Sequence, residues 1–374
     1  MGRSVLKIAI LTSSRADFGI YLPLAAKLNA DEAFQTEVIA FGTHPSAKYG
    51  YSLQQITDAG LKVAYSFDTA PKNDLPIDIS ESMAEVNRLM AGVWAKSNYD
   101  LVLALGDRYE MFSAVASAMP FNLKIGHIHG GETTLGAIDN AFRHSITHMS
   151  YLHFTCAEAY KQKVIELISS KKRVYNTGSL GIDNLTNMQF MDVELLKESS
   201  GIDFSIPSIL ITLHPETIGF EQNLENTVQM LQALEQISEF QQVITMPNAD
   251  TSGLLIRKKL LDFAEIHPNV KTVENFGSLA YLSAMKHAAL MLGNSSSGFM
   301  EAAFFPKWVI NLGSRQGGRI RTPNIMDVAF DSGEIIKAVR KAATSNLPEF
   351  APVYGDGHAA DKIINILKNE FAIV

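Results

Sequence analysis

The feature that most constrains this chain is an alternation that runs through it twice, in which short apolar runs are separated by longer amphipathic stretches. The first series is Leu6–Leu11, Glu37–Phe41, Leu101–Leu105, Lys124–Ile128 and Val174–Thr177. The second is Ile209–Leu213, Val243–Met246, Val270–Val273, Leu290–Leu292 and Val309–Leu312. Such runs are too short for packed helices and apolar on both faces, so they predict strands of parallel sheets. Helical periodicity fills the intervals, as in Ile79–Lys96, Ala159–Ile168, Asn223–Phe240 and Glu334–Ala343. The expected class is α/β, with two Rossmann-like domains facing each other across a cleft. We place the first at residues 1–185 and the second at 186–357. Met188–Ser208 forms the boundary zone, a helix and then a loop ending near Pro207. Residues 358–374, with the helix Asp361–Phe371, are expected to pack back on the first domain.

Two domains suit 374 residues. The chain is 47% hydrophobic and 19% charged, the balance of a well-cored soluble protein. A net charge of −7 argues against an extended nucleic-acid or anionic-membrane surface, while a few local arginines suffice for one diphosphate. The apolar run Val5–Leu11 is short and carries Lys7, and no uninterrupted stretch reaches the ~18 residues of a membrane span. A cytoplasmic protein is expected. Cys156 is the only cysteine, which excludes an internal disulfide and leaves no Cys/His zinc spacing. It reads as a buried structural thiol. No cofactor is called for, since no G-x-G-x-x-G follows the first strand, and no metal either, since no H-E-x-x-H occurs.

Candidate chemistry collects where strands end. After Leu6–Leu11 comes Thr12-Ser13-Ser14-Arg15-Ala16-Asp17-Phe18-Gly19, where Arg15 and small hydroxyl residues can meet an anion; alternatively Ser14 or Asp17 caps the next helix. Leu101–Leu105 ends in Gly106-Asp107-Arg108, placing Asp107 where α/β enzymes carry catalytic groups, or as a cap for the helix from Tyr109. Gly126-His127-Ile128-His129-Gly130-Gly131-Glu132 turns tightly on two glycines and leaves His129 and Glu132 at a strand's carboxyl edge. Asp139 opens a helix that carries Arg143 on its own face, with His144 and His148 on another. In the second series, His214 ends a strand in Leu213-His214-Pro215-Glu216-Thr217. Asn294-Ser295-Ser296-Ser297-Gly298 precedes an expected helix Phe299–Phe305 and reads as a pyrophosphate cradle or a flexible turn. Glu301 would accept from ribose hydroxyls. Gly313–Arg321, with Arg315 and Arg319, is a basic loop able to close over a diphosphate, or simply a solvated surface loop.

Together these motifs resemble the UDP-N-acetylglucosamine 2-epimerases, especially the hydrolysing branch of sialic-acid biosynthesis. The likeness spans nearly the whole chain. It is carried by Ser14–Asp17, Gly106–Glu110, His127–Glu132, Arg143–Thr147, Leu213–Pro215, Asn294–Gly298 with Glu301, and Gly313–Arg319. It implies the glycosyltransferase-B fold, a UDP-N-acetylhexosamine substrate and UDP as product. It also implies elimination of UDP to a 2-acetamidoglucal and hydration to N-acetylmannosamine. Asp107, Asp139 and His214 match positions the family uses around the sugar. Non-hydrolysing relatives carry Glu where this chain has His129, so Glu132 or His129 itself takes that acid–base role. A homodimer or homotetramer is expected. Two alternatives stand beside this reading: a 2,4-diacetamido-trideoxyhexose substrate, as in legionaminic acid pathways, and a glycosyltransferase using a UDP-sugar donor.

Overall fold

The computed structural model describes residues 5–47, 51–73, 75–133, 138–215, 220–246, 253–274 and 276–373. The chain divides into two compact units, residues 5–132, 138–187 and 354–373 in the first and 188–353 in the second.

The first unit is built on seven strands: β1 (Leu6–Thr12), β2 (Phe34–Ala40), β3 (Val63–Ser66), β4 (Leu101–Leu105), β5 (Ile125–Ile128), β6 (Leu152–Thr155) and β7 (Val174–Asn176). Their order is β3-β2-β1-β4-β5-β6-β7, and every pair is parallel. Successive side chains of β1 feed opposite layers, as the two-residue period of a strand requires. Leu6, Ile8 and Ile10 pack with Tyr21, Leu24 and Leu28 of the helix Arg15–Ala30 and with Ile363 and Leu367 of the last helix, Ala359–Glu370. Ala9 and Leu11 pack on the other face with Val86, Met90 and Trp94 of the helix Pro76–Trp94.

The second unit repeats the plan with β8 (Ser208–Thr212), β9 (Gln241–Thr245), β10 (Val270–Val273), β11 (Leu290–Gly293), β12 (Trp308–Leu312) and β13 (Ile325–Val328). The order is β10-β9-β8-β11-β12-β13, again wholly parallel. Ile209 and Ile211 share a core with Met230 and Leu234 of the helix Asn223–Glu235 and Ile335 and Val339 of the helix Ser332–Thr344. Among the described residues no helix is long and apolar enough to cross a membrane.

All ten expected strands are present, within three residues at either end. Three more escaped the apolar criterion. Both β3 and β13 are edge strands and only half-buried, and His153 interrupts the apolar run of β6. The expected helix Phe299–Phe305 is corrected: a 3₁₀ turn covers Ser296–Gly298, and the helix that follows is only Glu301–Phe304. Of the His214 motif, Glu216 and Thr217 lie outside the described residues.

The last helix belongs to the first unit because Asp183 holds its start. Buried Asp183 accepts from the backbone N–H of Ala359 at 2.8 Å and of Ala360 at 2.7 Å, two of the donors a helix N-terminus leaves orphaned. Asp183→Ala should therefore cost about 2 kcal/mol. Chemical denaturation checks the magnitude, and amide exchange should quicken first within Ala359–Glu370. An unchanged exchange rate there would count against Asp183 as the anchor.

Candidate functional site

In an open parallel sheet, ligands bind beyond the carboxyl ends of the strands where the strand order reverses. In the first unit that point lies between β1 and β4, and in the second between β8 and β11. The loops that leave these four strands carry Thr12–Asp17, Gly106–Arg108, His214 and Gly293–Ser297. Both switch points thus hold residues expected to act.

The loop after β1 is braced from within. Asp17 accepts from Ser13 N (2.8 Å), Ser14 N (2.7 Å), Ser14 Oγ (2.8 Å) and Thr12 Oγ1 (3.2 Å), closing a capping box with Ser14. Its carboxylate is engaged by the loop's own donors, the capping alternative that the sequence offered. Arg15 is exposed at the first turn of the same helix. Sequence reasoning passed over His44, which follows β2 on the same sheet edge. Its Nε2 lies 2.9 Å from Thr12 Oγ1 and its Nδ1 2.8 Å from Ser52 Oγ, and burial pushes its pKa down.

Around β4 and β5 the structure gathers a charged cluster. Arg143, on the helix Asp139–Met149, is almost wholly buried. It donates to Asp107 Oδ2 through Nη2 and to the His129 carbonyl at 2.5 Å through Nη1. Asp107 is therefore an ion-pair partner and not a helix cap; the helix Tyr109–Ala118 starts without a side-chain cap. Glu132 adds its charge to the field that holds Arg143 protonated. Asp139, one turn before Arg143, has a pKa above the usual carboxyl range, because burial and the neighbouring Asp107 both oppose its ionisation. Beside the cluster, Arg108 grips the fully buried Glu110 through two hydrogen bonds of 2.8 and 3.1 Å. His127 is a brace: Nε2 donates to Gly106 O at 2.8 Å, and burial takes its pKa down to about 3.

The turn after β5 sets His129 and Glu132 face to face. His129 has φ +65°, a left-handed conformation that costs a side-chain-bearing residue free energy. Gly131 must be glycine, with φ +82° and a hypothetical Cβ only 2.4 Å from Tyr160 O. His129 Nδ1 meets Glu132 Oε1 at 2.9 Å, and the same oxygen accepts from Cys156 Sγ at 3.3 Å. Ser179 Oγ lies 3.4 Å from the other ring nitrogen. These donor atoms of His129, Glu132 and Cys156 all fall within 4.8 Å of one another. His144 stands apart, its pKa lowered by burial and its Nδ1 without a partner among the described residues.

In the second unit Asn294 is the tie. Its side chain accepts from His214 N at 2.7 Å and donates to His214 O at 2.9 Å, locking the loops after β8 and β11 together. Gly293 permits this approach, since a Cβ there would sit 1.9 Å from Thr212 O. Burial first, and then Arg315, take the His214 pKa down to about 4, so its imidazole is neutral near pH 7. Arg315 and Gln316 both donate to Asn294 O, at 3.1 and 2.9 Å. Ser295 Oγ caps the 3₁₀ turn from Ser297 N, and Tyr281 OH lies 2.7 Å from Ser297 Oγ. With Ser296 and Gly298 in that turn, the serine segment is a tight side-chain and backbone cradle and not the N-terminus of a long helix. Arg319 Nε donates to Gln316 at 2.8 Å. Burial pushes the Glu301 pKa up to about 7, against a smaller opposing pull from Arg319. A cavity of about 490 Å³ opens beside Gly313 and Ser314, lined also by Gln222, Asn226 and Phe330.

Residues 26–368 match the family described as UDP-N-acetylglucosamine 2-epimerase. The chain is 35% identical over 86% of its length to GDP/UDP-N,N'-diacetylbacillosamine 2-epimerase (hydrolyzing) of Campylobacter jejuni, covering 84% of that protein. It is 31% identical over 89% of its length to polysialic acid biosynthesis protein P7 of Escherichia coli, covering 85% of it. The crystal structure of UDP-GlcNAc 2-epimerase from Neisseria meningitidis bound to UDP-GlcNAc matches with a TM-score of 0.82 at 19% identity, over 97% of this chain and all of that one. The shared architecture, two Rossmann-like domains, is the glycosyltransferase-B fold expected from the sequence.

Glu301 supplies a pH test. Its folded pKa lies above the ordinary 4.5, so its ionisation opposes folding as pH rises through about 7. Glu301→Gln should gain thermal stability relative to the parent from pH 4.5 upward, with the gain levelling off above about pH 7. A stability difference that is flat with pH would contradict a raised carboxyl pKa at this position.

Proposed function

Because the chain belongs to the UDP-N-acetylglucosamine 2-epimerase family and is an enzyme of its hydrolysing type, we propose that it converts UDP-N-acetylglucosamine and water to N-acetylmannosamine and UDP. One observation carries the chemistry: Asp107, Glu132 and Asp139 are arranged around a single buried guanidinium at the carboxyl edge of the first sheet.

The C2–H bond of a hexosamine is not activated by a carbonyl. It becomes acidic only as the C1–O bond to the diphosphate breaks, so the departing charge must be met as it grows. Arg15, the Ser295–Ser297 turn, Arg315 and Arg319 are the donors we assign to UDP, with the neutral His214 imidazole donating without a counter-charge of its own. As UDP leaves with its glycosidic oxygen, an ionised carboxylate takes the C2 proton and a C1–C2 double bond forms. Water then adds its hydroxyl at C1, and a proton reaches C2 on the opposite face, giving the inverted free sugar.

The environments divide the labour. Asp107 is ion-paired with Arg143, and Glu132 accepts from His129 and Cys156; these contacts support assigning the C2 base to one of the two. Asp139 has a raised pKa and holds its proton to higher pH than an ordinary carboxyl, so it suits proton delivery to C2 during hydration. A second substrate, UDP-N,N'-diacetylbacillosamine, is favoured by the name of the 35%-identical relative. The proton chemistry is the same for both.

Proton NMR in D₂O with each UDP-sugar tests this reading. Free sugar deuterated at C2, with UDP released and no acceptor present, is the expected result. Unlabelled product would refute the elimination, and UDP release that requires an acceptor would favour a glycosyltransferase. Comparing rates for the two sugars identifies the substrate. Asp107→Asn should lower turnover by roughly 10²-fold or more while UDP binding changes little; wild-type turnover would remove Asp107 from the chemistry.

A further inference from the structure

The turn after β5 and the end of β6 bring together three side chains of a composition that proton transfer alone does not require. His129, Glu132 and Cys156 each point one metal-ligating atom into a common space within 4.8 Å. All three are buried, with Cys156 fully inaccessible. Imidazole, carboxylate and thiolate together form a donor set suited to a borderline-soft divalent ion. Oε1 of Glu132 lies 2.9 Å from His129 Nδ1 and 3.3 Å from Cys156 Sγ, close enough for one ion to replace the protons now shared among them.

The site is also built in advance. His129 is held at φ +65° by the Gly130–Gly131 turn, and its backbone N–H donates to Phe154 O on the neighbouring strand at 2.9 Å. Ser179 Oγ, 3.4 Å from Nε2, is placed to hold the ring by its outer nitrogen when a metal ion displaces the proton that Nδ1 gives to Glu132, as partners behind histidine ligands commonly do. Cys156 directly follows β6, so the thiol is positioned by a strand and not by a mobile loop.

We propose that His129, Glu132 and Cys156 form a site for Zn²⁺ or a chemically similar divalent ion, and that its occupancy switches the enzyme off. Binding forms bonds from the metal to Nδ1, Oε1 and Sγ, and the thiol proton and any proton on Nδ1 pass to solvent. A fourth position is left for water. Glu132, once coordinated, is withdrawn from proton transfer. The binding claim stands on geometry alone; only the inhibition rests on the role given to Glu132 above.

Cobalt(II) titration of the metal-free full-length protein, without substrate, tests the binding. Cys156 is the only cysteine in the chain, so a thiolate-to-cobalt charge-transfer band can come from no other residue. We expect that band at one ion per chain, with Zn²⁺ bleaching it. Cys156→Ala should abolish the band and weaken Zn²⁺ binding on the order of a hundredfold or more, at least the upper end of what the loss of an outer-shell partner costs. Cys156→Ser, closer in size, guards against a packing defect, and thermal melts of the metal-free variants report folding. No band in the parent protein, or Zn²⁺ affinity equal in parent and variants, would overturn the site. Micromolar Zn²⁺ should stop turnover of the parent, and the concentration needed should rise about as much as the affinity falls in the Cys156 variants; equal inhibition of both would refute the switch. A metal-free parent that fails to turn over any UDP-sugar would count against the proposed reaction and leave the cobalt result intact.

Discussion

A guanidinium taken almost wholly out of water is the interaction around which the first unit's chemistry is organised. An unpaired charge in that position would cost several kcal/mol, so the surroundings of Arg143 must be anionic. Asp107 and the His129 carbonyl supply direct partners, and Glu132 contributes through its charge. The arrangement works in both directions. Three carboxyl groups crowded at one strand edge would repel one another; the central cation offsets part of that repulsion, and at Asp139 burial and the neighbouring Asp107 still outweigh it and raise the pKa. Because Asp139 and Arg143 lie four residues apart on one helix, the acid and its counter-charge arrive together, and their spacing is set by helix geometry.

The same economy recurs in the second unit through a different group. There a neutral amide does the locking: Asn294 bonds both backbone groups of His214, and its own carbonyl takes Arg315 and Gln316. The two loops at the β8–β11 switch point are fixed to each other before any ligand arrives, so little ordering remains to be done on binding. Gly293 is the condition for this, because any side chain there would collide with the Thr212 carbonyl.

How far the sequence could be read follows from what each residue touches. Strands buried on both faces, such as Leu101–Leu105, announce themselves by composition, whereas β3 and β13, half-exposed at sheet edges, do not. The rule that candidates sit at strand ends singles out Asp107, His129, Glu132 and His214, and the structure brings the first three to one cluster around Arg143. Applied to β2, it would also have singled out His44. The serine segment after β11 was misread as a helix N-terminus, since Ser295 capping a 3₁₀ turn and Ser295 capping a helix look alike in sequence. Cys156 reads correctly as buried. Its contact with Glu132, however, is a tertiary event between residues 24 apart on different strand ends, and no ligand spacing encodes it.

The same environments account for a histidine at position 129. A glutamate in its place would stand beside Glu132 and Asp107, adding a further carboxyl group to a cluster with one buried cation. Histidine instead gives Glu132 a hydrogen-bond partner at 2.9 Å. The left-handed backbone at His129 is what aims the ring at Glu132, so the strain of that residue is spent on orienting a partner for that carboxyl group.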